Sequence, residues 1–133
     1  MKVGLMADTH DRVPAIRDLL KMMNDKGVTL VMHAGDYCSP FALEPFNEAN
    51  IALLGIFGRN DGDPEGLKAT AARGVGMELY ESPHSFEVSG HRGPLVLRIL
   101  QRPAQGALGK HVFLQRGNEL AQFHEDRPGF ALP

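Results

Sequence analysis

Residues 2–11 read Lys2-Val3-Gly4-Leu5-Met6-Ala7-Asp8-Thr9-His10-Asp11: a short apolar run that breaks abruptly into a loop of carboxylates, a hydroxyl and an imidazole. Such a run bounded by polar residues predicts a buried strand with a polar loop at its carboxyl end. Pro14 follows as a first-turn proline. Behind it Ile16, Leu19, Leu20 and Met23 recur at i, i+3, i+4 and i+7, predicting an amphipathic helix that stops near Gly27. The same sentence is then repeated twice. Thr29–Met32 is a second apolar strand, and the ten residues from Pro40 suit a short helix whose first turns must accommodate Pro45. Ile51–Phe57 is a third strand, and Pro64–Arg73 a third helix with Gly74 after its end. Three strands alternating with three helices at this spacing predict βαβ units, a parallel sheet and an α/β fold.

The pattern then changes. Met77–Tyr80 and Ser85–Val88 look like strands, and Ser89-Gly90 supplies a turn before the apolar run Leu95–Leu100. These predict a second, more antiparallel layer. Beyond Gln101 no period is sustained, although Val112-Phe113-Leu114 could form one more strand.

Composition narrows the class of protein. The 133 residues are 43% apolar and 23% charged, ordinary for a globular chain, and their length argues for one domain, 1–133. A formal charge of -2 advertises no nucleic-acid or anionic-membrane surface. Cys38 is the one cysteine, so no intrachain disulfide forms, and a cytoplasmic setting is the simplest expectation. No apolar run approaches the roughly 20 residues that span a bilayer, and Asp8 and Asp11 come too early for a signal peptide's apolar core. Residues 1–92 are acidic, with 9 basic against 13 acidic side chains; residues 93–133 are basic, with 5 against 3. All Met and Thr precede residue 93 and all Gln follow residue 100. The chain therefore reads as two segments.

Open α/β sheets bind ligands beyond the carboxyl ends of their strands. Here those ends deliver Asp8-Thr9-His10-Asp11, His33-Ala34-Gly35-Asp36 and Gly58-Arg59-Asn60-Asp61-Gly62-Asp63 to one edge. Asp8 and His10, two apart, point the same way in an extended segment and can chelate one cation. Asp36 follows a glycine, which lets the backbone approach whatever the carboxylate holds. Oxygen and imidazole donors without thiolate suit Mn²⁺, Fe, Ni²⁺ or Zn²⁺. Any one of these loops alone reads as a helix cap or an ordinary loop histidine, His33 included. Three in succession favour a metal site.

The ordered triple Asp8-Thr9-His10, Gly35-Asp36 and Gly58-Arg59-Asn60-Asp61, within LMADTHDRVPAI (residues 5–16), HAGDYCSP (33–40) and IFGRNDGD (56–63), resembles the calcineurin-like metallophosphoesterases. Within that family it looks like the small single-domain bacterial and archaeal phosphodiesterases. The resemblance covers about residues 1–92. It implies an α/β/β/α sandwich, a two-metal centre, and hydrolysis of phosphate esters by metal-activated water. By the same resemblance Asp8 and His10 bind the first metal, Asp36 bridges both, and the third motif's Asn binds the second. The family places that Asn directly after Gly, where this chain has Arg59; Asn60 comes one residue later. Either Asn60 reaches the metal, or Arg59 has displaced a ligand and binds a substrate phosphate bidentately. Asp61 matches the motif's last position.

The family's C-terminal ligands, including a G-H-x-H loop, have no match: Gly90-His91-Arg92-Gly93 shows only G-H, and His84, His111 and His124 are isolated. This loss coincides with the compositional break. Residues 93–133 read either as a divergent tail or as a segment out of frame with its relatives. In both cases the second sheet is expected to be incomplete and its exposed apolar surface to favour self-association. The expected function is a metal-dependent phosphoesterase acting on a small phosphoester with one or two divalent metals, activity impaired by the missing ligands. The alternative is a non-catalytic scaffold on the same fold.

Overall fold

A computed structural model describes residues 2–90, 93–104, 107–116, 119–124 and 131–132, with side chains through residue 87. The first half alternates as its periodicity predicts: β1 (Lys2–Met6), α1 (Val13–Asp25), β2 (Val28–His33), α2 (Glu44–Ala49), β3 (Ala52–Ile56), α3 (Pro64–Arg73) and β4 (Met77–Tyr80). β1, β2, β3 and β4 pair in parallel, in the order β4-β3-β2-β1. A two-residue strand, Ala131–Leu132, lies antiparallel on the far side of β1.

Two details correct the sequence reading. The helix expected from Pro40 splits into a 3₁₀ turn, Pro40–Leu43, and α2. Pro45 stands in the first turn of α2, where its missing N–H costs nothing, so it starts a new helix instead of continuing the old one. Met77–Tyr80 belongs to the parallel sheet and not to the second layer. Its Leu53↔Met77 to Ile56↔Tyr80 register against β3 completes a third βαβ unit around α3.

Each strand divides its side chains between two cores. On one face Val31, Leu53 and Met77 meet Ile16, Leu20 and Met23 of α1, Phe46 of α2, and Leu67 and Ala71 of α3. Burying each large apolar side chain there contributes about 1.5–3 kcal/mol relative to exposure. On the other face Val3, Leu30, Met32 and Ile56 pack with Phe86, which arrives from β5 (His84–Gly90), the first strand of the second sheet. His84, isolated in the sequence, stacks on Tyr80 with ring centroids 3.9 Å apart, and Phe86 meets both rings edge-on, joining the two sheets.

The second sheet is larger than expected. β6 (Gly93–Ala104), β7 (Ala107–Arg116) and β8 (Glu119–His124) continue it in the antiparallel order β5-β6-β7-β8. The run around Val112 that looked like one marginal strand is the centre of β7. Antiparallel neighbours joined by short connections form from adjacent chain segments, so pairing needs less periodicity than the sequence reading demanded. The β7–β8 register sets His111 opposite His124; His91 lies outside the described residues. Among the described residues no helix follows α3, and none is long and apolar enough to cross a membrane.

Candidate metal centre

The first two loops are extensions of the sheet that carries them. Beyond the last β1–β2 pair, Ala34 N–H donates to the Met6 carbonyl, Asp8 N–H to Gly35, His10 N–H to Asp36 and Asp11 N–H to Tyr37. The loops thus run zipped together, and their side chains are fixed relative to one another. The backbone adopts left-handed φ at Asp8 (+55°), His10 (+42°), Asp11 (+57°) and Asp36 (+63°). Asp tolerates this region better than most residues, and a cluster of such conformers beside a cleft is a common feature of ligand-binding loops.

The result brings Asp8, His10 and Asp36 together, with one donor atom from each inside 4.8 Å of the others. His10 Nε2 faces Asp8 Oδ1 at 3.6 Å and Asp36 Oδ2 at 3.8 Å. Asp36 is almost fully buried, whereas His10 is 44% exposed, so the cluster opens to solvent on the imidazole side. Two carboxylates and an imidazole at these separations form a donor set that a divalent cation fits: hard oxygens with one borderline nitrogen, and room for further ligands on the open side. On its other nitrogen, Nδ1, His10 meets Cys38 Sγ at 3.5 Å.

The third loop closes over Asp36. Asn60 N–H donates to Asp36 Oδ1 (3.0 Å) and the Asn60 side-chain amide to Oδ2 (3.2 Å). Asn60 therefore reaches Asp36 despite its displaced position; Arg59 and Asn60 are both exposed on this loop. Gly35 and Gly58 make this closure sterically feasible. Gly35 has φ +91°, and a Cβ on it would lie 2.5 Å from Gly58 N.

Three residues outside the expected ligand set hold this arrangement. Asp61, buried, accepts backbone N–H bonds from Asp36 (3.0 Å), Cys38 (2.9 Å) and Gly58 (2.6 Å), tying the second loop to the third. Its place at the end of the third motif was the available signal. Asp11 accepts from both Ser39 N–H and Ser39 Oγ at 2.8 Å. His33, fully buried at the end of β2, stacks on Tyr37 and bonds at both ring nitrogens: Gly35 N–H donates to Nδ1 (3.1 Å), and Nε2 meets Thr9 Oγ1 at 3.0 Å. Burial and the nearby Asp61 carboxylate push the Tyr37 phenol well above its ordinary pKa.

Three comparisons relate the chain to known proteins. Phosphodiesterase MJ0936 of Methanocaldococcus jannaschii is 41% identical over 68 residues, which are 51% of this chain and 41% of that relative's length. A solved structure described as the structural and functional characterization of a novel archaeal phosphodiesterase superposes with a TM-score of 0.62 at 19% identity. It covers 94% of this chain and 100% of its own, and shows a shared fold. The description "calcineurin-like phosphoesterase superfamily domain" matches residues 1–125, well past the point where the sequence motifs stop. With the match spanning the three strand-end loops and reaching into the second sheet, the chain belongs to the calcineurin-like phosphoesterase superfamily.

Proposed function

We propose that this chain is a metal-dependent phosphoesterase that hydrolyses a small phosphodiester or phosphomonoester. The observation that carries the reading is the convergence of Asp8, His10 and Asp36 within 4.8 Å at the edge where the strands end. Asp8 and His10 would hold the first cation, Asp36 would face it and a second one, and Asn60 would stand beside Asp36. The chemistry of the donors suits Mn²⁺, Ni²⁺, Fe or Zn²⁺. A bound divalent cation supplies Lewis acidity, drawing charge from phosphoryl oxygens and acidifying water.

The chain's own residues do the rest. The zipped loops hold the carboxylates in place before substrate arrives, so little reorganisation is needed during reaction. Asp36 keeps its charge oriented through the two Asn60 donors. Arg59, exposed on the third loop, offers a planar fork of donors to a substrate phosphate. His10 is the most exposed of the three, so the cluster is open to solvent on its side. The setting we infer is cytoplasmic.

Metal analysis of the purified protein, paired with hydrolysis of bis(p-nitrophenyl) phosphate in Mn²⁺, tests the proposal. Bound metal with turnover that Asp36→Ala abolishes is the expected result. Protein that takes up no metal and shows no turnover overturns it and leaves a scaffold role on the same fold.

A further inference from the structure

The two loops that carry Asp8, His10 and Asp36 are joined by backbone bonds, but one side chain also crosses between them beneath the surface. Gly35 N–H donates to His33 Nδ1, so in the neutral ring Nδ1 is the acceptor and the proton sits on Nε2. Nε2–H then donates to Thr9 Oγ1, the residue between the two first-loop ligands. The ring itself cannot swing, because it is stacked on Tyr37 at 4.1 Å between centroids and has no exposed surface. One rigid imidazole thus grips the turn before Asp36 with one nitrogen and the turn between Asp8 and His10 with the other.

We propose that His33 is a positioning residue for the metal centre, a buried strut that sets the spacing of the Asp8/His10 loop against Asp36. This rests on the metal-centre reading above and deepens it: both ring nitrogens of His33 are engaged by Thr9 and Gly35, so it acts through those two residues. A ring flip would break both bonds at once, and a change of tautomer would set an Nδ1–H against the Gly35 N–H. The requirement is therefore for an imidazole here, with its hydrogen on Nε2, and for a hydroxyl at residue 9. Residues that orient metal ligands typically change metal affinity by about 10–100-fold when removed.

The test compares the full chain with Thr9→Val, Thr9→Ser and His33→Gln. Mn²⁺ affinity is read from the free-ion electron paramagnetic resonance signal, and amide hydrogen exchange is followed in the metal-free proteins. Thr9→Val keeps the shape of the side chain but removes the acceptor, so it serves even if His33→Gln fails to fold. The expected result is a roughly tenfold or greater loss of Mn²⁺ affinity in Thr9→Val, restored to within about threefold in Thr9→Ser. Faster exchange at the Asp8, His10 and Asp11 amides should accompany the loss. Wild-type affinity and unchanged exchange in Thr9→Val overturn the strut. If the wild-type chain takes up no Mn²⁺, the metal reading falls by itself. The exchange data then decide: acceleration in Thr9→Val but not Thr9→Ser supports the strut, and equal rates overturn it.

Discussion

Asn60 grips both oxygens of the Asp36 carboxylate, through its backbone N–H on Oδ1 and its side-chain amide on Oδ2. The displaced third motif is therefore accommodated by a turn that brings the residue after Arg59, not Arg59 itself, onto the buried carboxylate. This contact distributes roles between neighbours. Asn60 is committed to the Asp36 carboxylate, while the Arg59 side chain is exposed on the same loop.

That division predicts opposite phenotypes. Asn60→Ala removes a donor from Asp36 and should weaken Mn²⁺ binding by about tenfold or more. Arg59→Ala should leave Mn²⁺ affinity unchanged and raise KM for an aryl phosphodiester by about tenfold, the worth of one charge-assisted contact. Metal titration and steady-state kinetics on the two variants check the assignment. A loss of metal affinity in Arg59→Ala with none in Asn60→Ala would reverse it.

Asp61 should matter to stability more than its distance from solvent chemistry suggests. Its two oxygens accept three backbone N–H groups from two loops. In Asp61→Asn one oxygen becomes an NH₂ group that faces a donor, so at least one buried N–H loses its partner. The cost expected is about 2–4 kcal/mol, since bonds to a charged acceptor are lost and a donor is left unsatisfied. Urea unfolding of the metal-free variant measures it, with an unchanged m-value showing that the folded architecture persists.

The parts of this design visible in the sequence are those set by local periodicity. The spacing of Ile16, Leu19, Leu20 and Met23 fixes α1, and the apolar runs before Asp8, His33 and Gly58 fix three strands and hence the edge on which Asp8, His10 and Asp36 meet. What was not visible depends on partners distant in the chain. Met77–Tyr80 is too short to show a period, and only its pairing with β3 assigns it to the parallel sheet. The extent of β6–β8 is likewise decided by cross-strand register. His33 looks like any histidine ending an apolar strand; its role exists only because Thr9, 24 residues earlier, comes within 3.0 Å.

The two tyrosines of the chain should titrate differently. Tyr37 is fully buried near Asp61, and both burial and that carboxylate raise its pKa well above 10. Tyr80 is raised as well, chiefly by its hydrogen bond to Glu78, but stands near solvent. A group whose folded pKa lies above its unfolded value contributes stability that is fully present below the unfolded pKa. That contribution is lost as pH rises from about 10 through the folded pKa. Absorbance at 295 nm should therefore show Tyr80 ionising in the folded protein, and Tyr37 only together with alkaline unfolding. Tyr37→Phe should flatten the fall in stability above about pH 10; a Tyr37 that titrates reversibly near pH 10 in folded protein would contradict its burial.

Gly35 offers the sharpest test of how the loops are closed. Its φ of +91° is unfavourable for any residue with a Cβ, and that Cβ would sit 2.5 Å from Gly58 N and 2.7 Å from Gly58 Cα. Neither obstacle can move cheaply, because both clashing atoms are backbone and Gly58 N–H is itself bonded to Asp61. Gly35→Ala must therefore push the third loop away from the second. Strain at such a φ together with overpacking costs about 3 kcal/mol or more. The separation would also pull Asn60 off Asp36. Gly62, four residues beyond Gly58, provides the control: a Cβ there meets nothing within 4 Å, and Gly62→Ala should change stability by no more than about 0.5–1 kcal/mol. Thermal melting of the pair, with Mn²⁺ titration of whatever folds, separates the two sites. Equal melting temperatures for Gly35→Ala and Gly62→Ala would mean that the second and third loops are not packed backbone to backbone.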